Sequence, residues 1–114
     1  ASVPALTCVY YRVNQENPDL AAAFVNGLTD PAELSADEPL YLLREAFDKR
    51  NEELQRPNSK AKRYRPVEVI AMAIKCVNAM HTGDRPKQIR WRSTGARPEP
   101  MPELAVKPAA LAAE

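Results

Sequence analysis

Apolar residues along this 114-residue chain recur at helical spacing in three stretches and alternate in a fourth. The clearest stretch covers residues 66–81, where Val67, Ile70, Met72, Ala73, Ile74, Val77 and Met80 occupy most of the helix circumference. Its polar positions, Glu68, Lys75 and Asn78, are confined to one narrow stripe. A helix patterned in this way is enclosed by protein on most sides, so 66–81 is expected at the centre of the core. Pro66 suits the first helical position, where no N–H is needed, and Thr82-Gly83-Asp84 is a stop signal.

Two weaker helical patterns lie upstream. Asn17-Pro18-Asp19 reads as a helix start, with a capping side chain, a proline and an acid in the first turn. Leu20, Ala23, Phe24 and Leu28 form its stripe, and Gly27 is placed to end it. Ser35 and Glu38 have capping-box spacing before Leu40, Leu43, Phe47 and Leu54, with Ala46 widening that stripe. Glu45/Lys49 and Lys49/Glu53 support its outer face at i,i+4. Between the two, Asp30-Pro31 predicts about one helical turn. Pro57, Asn58 and Ser59 break periodicity, which makes 56–65 a loop.

Residues 5–13 are rich in β-formers and aromatics and read as a strand. Lys87-Gln88-Ile89-Arg90-Trp91-Arg92 alternates, with Ile89 and Trp91 on one face and Arg90 and Arg92 on the other. The expected fold is therefore α+β, mainly α. About three helices surround the apolar helix at 66–81, with a small two-stranded sheet from 5–13 and 87–93. Residues 1–95 make one compact domain. Pro98, Pro100, Pro102 and Pro108 predict an extended or disordered tail over 96–114.

Apolar content of 45% and charged content of 27% are ordinary for a globular domain, so composition adds little. The longest near-apolar run, 69–74, is far short of the ~20 residues of a membrane span, and no membrane partner is expected. Cys8 and Cys76 lack nearby Cys or His at metal-ligand spacing. They read as small buried hydrophobes rather than a disulfide, which fits a reducing compartment, most simply the cytoplasm.

Charge changes the picture more. Residues 1–55 carry four basic side chains against ten acidic ones, whereas 56–98 carry eleven basic against two acidic. Such a field bears on partners and not on fold. The glycines are isolated, Glu52 and Glu53 point apart on a helix, and the lone histidine, His81, falls at a helix C-terminus where the dipole favours it. An enzyme is the least favoured class, and no catalytic residue, metal or cofactor is implied. The one candidate site is basic: Lys60, Lys62, Arg63 and Arg65 in the loop, Arg85, Lys87, Arg90 and Arg92 around the predicted strand, and Tyr64 as a stacking surface. If the strand folds back along the helix, the two groups meet. A helix-turn-helix is excluded, because the loop is too long and the second helix too apolar to lie in a groove.

Ile74-Lys75-Cys76-Val77-Asn78-Ala79, Gly83 and Ile89-Arg90-Trp91-Arg92 resemble a segment of uncharacterised actinobacterial and phage proteins, in some of which it follows a ParB-like domain. Asn17-Pro18-Asp19-Leu20, Gly27-Leu28 and Leu42-Leu43-Arg44-Glu45 are similar to the same group. The resemblance implies a setting of mobile elements or DNA transactions. It carries over neither nucleotide binding nor nuclease activity, because the Gly-x-x-Arg pattern of the ParB box is absent.

Two functions of different kind follow. One is a non-enzymatic binding protein that holds DNA or RNA by the phosphate backbone. The alternative is a protein-interaction module or small inhibitor, in some form homodimeric, whose acidic and basic faces grip a protein partner.

Overall fold

Among the described residues four helices make up the fold: α1 (Val3–Glu16), α2 (Pro18–Thr29), α3 (Pro39–Gln55) and α4 (Pro66–Thr82). The structure, a computed structural model, describes residues 3–30, 34–92 and 98–106. The one-turn helix expected at Asp30-Pro31 falls largely on residues outside that set. α4 packs against each of the other three helices, and Val69, Met72, Ala73, Ile74, Cys76 and Val77 are buried along it. The central place expected for 66–81 is the place this helix takes.

The expected two-stranded sheet is wrong: no strand exists among the described residues, and the domain is all-helical. Residues 5–13 lie inside α1. Ala5, Val9 and Val13 follow one another at a single helical turn and are all buried against the core. Leu6 and Tyr10 flank them, half-buried. β-Propensity is a preference for a half-buried pleated surface, and this stripe of residues spaced four apart, packed on α2 and α4, overrides it. Residues 87–92 do alternate, with Ile89 buried, Trp91 half-buried and Arg90 and Arg92 exposed, but the segment pairs with no strand.

Several helix ends follow the local chemistry. Asn17 alone separates α1 from α2: its N–H donates to the Val13 carbonyl at 2.7 Å, and its Oδ1 accepts from Leu20 N–H at 3.1 Å. Pro18 has no N–H with which to extend α1, so the chain must turn there. Gly83 stops α4 in the left-handed region, with φ 82°. Gly27 does not end α2, which runs on to Thr29. It is buried instead, and a Cβ there would run into the Leu40 side chain, so glycine lets α2 approach the start of α3. Ser35 and Glu38 make half a capping box: Ser35 N–H donates to Glu38 Oε2 at 2.5 Å, and α3 begins only at Pro39.

After α4 the chain doubles back over it. Residues 84–92 run along the helix and 98–106 return beside them, with Glu99 N–H donating to the Arg92 carbonyl at 2.7 Å. The polar stripe of α4 seats both arms. Lys75 Nζ donates to the Arg90 carbonyl at 2.7 Å and to Glu99 Oε2 at 2.8 Å. Asn78 Nδ2 donates to the Glu103 carbonyl and its Oδ1 accepts from Ala105 N–H, both at 2.8 Å. Trp91 Nε1 joins the arms by donating to the Pro100 carbonyl at 2.9 Å, and Ile89 and Val106 are buried in the core.

This strap carries a pH signature. The hydrogen bond from Lys75, aided by the nearby Arg90 charge, holds the Glu99 carboxyl below the usual carboxylate range. A lowered folded value gives a contribution that is complete above the ordinary carboxylate range and is lost as pH falls through the lowered one. Trp91 is the sole tryptophan. Its fluorescence is expected to change on acidification before the helical circular dichroism falls, and Glu99→Gln should remove that acid step. A Trp91 signal that changes only together with the helices would contradict it.

Candidate functional site

The site begins with the loop between α3 and α4. Asn58 takes φ 59°, a left-handed conformation that asparagine tolerates, and the chain turns back over the C-terminal half of α3. Arg50 holds it there: Nη1 donates to the Lys62 carbonyl at 2.8 Å, and Cζ lies 4.1 Å from the centroid of the Tyr64 ring. Tyr64 meets Phe47 edge-on, with centroids 6.0 Å apart. Arg50 and Tyr64 thus form a wall with a groove on each side. The larger, of about 570 Å³, is lined by Phe47, Arg50, Asn51, Leu54, Gln55, Arg63, Tyr64, Pro66 and Val69. The smaller, of about 250 Å³, is lined by Lys49, Arg50, Glu53, Tyr64, Gln88 and Arg90, with Glu45 and Ala46 beside them.

The sequence-nominated residues distribute unevenly around this wall. Arg63 lines the larger groove and Arg90 the smaller, so the returning segment does bring one of its cations to the loop. Lys60 and Lys62 are exposed on the loop, and Lys87 and Arg92 are exposed on the returning segment. Arg65 stands at the start of α4, where its N–H donates to Glu68 Oε1 at 2.9 Å and its Nε lies 3.4 Å from the same oxygen. Arg85 is not brought to the loop. It lies 3.8 Å from Asp37, just before α3, about 25 Å of helix away from the turn. Tyr64 is half-buried with Arg50 over one face, so an incoming base meets the guanidinium rather than that face of the ring.

Lys49, Arg50, Asn51 and Gln55 line the grooves and were not nominated from the sequence. Lys49 and Arg50 belong to the acidic half of the chain, and Lys49 reads as support for the outer face of α3. Their signal was spacing: Phe47, Asn51 and Gln55 recur every four residues, on the side that the loop must cross to reach α4.

Other reactive groups are dispersed. Cys76 is buried, which pushes its thiol up to about 12, whereas Cys8 is exposed, against the expectation that both are buried; both are free. His81 is exposed in the last turn of α4. Among the described residues, no group of three or more His, Cys, Asp or Glu is placed to hold a metal ion, and no helix is long and apolar enough to cross a membrane.

No protein-family model, curated protein or solved structure matches this chain. The functional reading therefore rests on the residues alone.

Proposed function

We propose that this protein binds nucleic acid non-enzymatically through the phosphate backbone, using the cations of the α3–α4 loop and of the segment after α4. One observation carries the reading. Arg56, Lys60, Lys62, Arg63, Lys87, Arg90 and Arg92 have no carboxylate within 4.0 Å among the described residues. The ion pairs on the helices are local: Arg44–Asp48, Arg50–Glu53 and Arg65–Glu68. Arg85–Asp37 links the acidic first half to the basic second half. The described acids thus leave these cations without a close ion pair, and phosphate is the ligand that exposed Lys and Arg suit best. Base-specific readout from a helix is disfavoured, because Lys75 and Asn78 of α4 are engaged by the strap.

A protein partner, or a second copy of the chain, is the other reading. It draws on Glu45 and Glu53, which share the smaller groove with Lys49 and Arg90 and make that surface mixed in sign.

Salt separates the two. Binding of fluorescent DNA or RNA should weaken with a log–log slope of about −4 for four to five phosphate contacts on duplex. No binding at low salt ends the phosphate reading. Light scattering on the same samples tests self-association: a monomer at both low and high salt removes the charge-driven dimer.

A further inference from the structure

Building on the phosphate reading, we infer that the larger groove takes one unstacked base of a single-stranded nucleic acid, stacked on the Arg50 guanidinium with Arg63 at the adjoining phosphate. The geometry points to a base rather than to phosphate alone. The groove has an aromatic floor, Phe47 and Tyr64, where simple anion binding would need only cations. Arg50 is held on three sides, by the Tyr64 ring at 4.1 Å, by the Lys62 carbonyl at 2.8 Å and by Glu53 at 3.8 Å. A planar guanidinium fixed in this way is a stacking platform that costs little further ordering when a base arrives. Asn51 and Gln55 stand one turn apart on α3 and line the same groove. Each amide both donates and accepts, which matches the mixed polarity of a base edge. The site is concave. A paired base in a duplex reaches such a groove only by leaving its stack, whereas a single strand offers its bases freely.

The test compares an oligothymidine with an abasic strand of equal length and charge, across a salt series. The base-containing strand is expected to bind about 5- to 100-fold more tightly, with the same salt slope. Arg50→Lys keeps the charge and loses the plane, so it should remove most of that difference and leave the slope unchanged. Gln55→Ala, at an exposed position, should reduce the difference with no change in thermal unfolding, and it serves if Arg50→Lys fails to fold. Equal affinity for the two strands overturns the inference and leaves the phosphate reading intact. Absence of binding to either strand at low salt overturns both. Displacement of the strands by polyglutamate, with equal affinity for abasic and complete strands, marks an acidic protein partner and also overturns the inference.

Discussion

Phe24→Ala is expected to lower the unfolding free energy by about 3–5 kcal/mol, which for a domain of ordinary stability is a large share of the total. Phe24 is fully buried on α2, and α2 meets all three of the other helices. Truncation removes the ring's transfer free energy and leaves a space bounded by elements that cannot all move inward together. Those elements are also fixed to one another: Asn17 ties α2 to α1, and Arg44 of α3 donates to the Leu28 carbonyl near the end of α2. Urea unfolding followed by circular dichroism measures the effect, and the midpoint should shift with little change in slope. A loss below about 1.5 kcal/mol would mean that the helices close over the gap.

The second large effect concerns binding. With Lys62, Arg63, Arg90 and Arg92 all changed to Ala, the proposed nucleic-acid affinity should fall on the order of 10³-fold at 0.1 M salt. Counterion release gives each phosphate contact about eightfold under those conditions. None of the four has a carboxylate within 4.0 Å among the described residues, Arg90 acting on Glu99 only at longer range, and all four are exposed. Stability should therefore stay within about 0.5 kcal/mol, and the salt slope should shrink by about 0.9 for each contact removed on duplex. Unchanged affinity in the fourfold variant would move any binding away from the loop and the returning segment.

How far these surfaces were legible in the sequence depended on the range of the signal. α4 was legible because its apolar period, its leading proline and its closing glycine agree within the helix itself. α1 was misread, because Val9, Tyr10, Tyr11 and Val13 satisfy β-propensity locally, while the four-residue spacing of Ala5, Val9 and Val13 gains its meaning only from the helices that cover it. The alternation at 87–92 was read correctly as two faces and wrongly as half of a sheet. Its backbone partners are the Lys75 side chain of α4 and the Glu99 N–H of the returning arm, sources that residue pattern does not announce. Among the site residues, Arg63 and Arg90 were nominated for charge, and the structure brings them to one wall. Arg50 was passed over because the local sequence gives it an acidic setting. Its role arises only when the loop folds over α3.

The seating of the strap on Lys75 and Asn78 fixes an order of events in folding. Those two side chains stand three residues apart, and they face the same way only once α4 is helical. Their contacts with the strap close loops of 15 to 27 residues, whereas the helices are built from contacts four residues apart. Loop closure on an unformed seat costs entropy with nothing to offset it. α4 must therefore be helical before the strap can seat on it, and the burial of Ile89 and Val106 follows the formation of that helix.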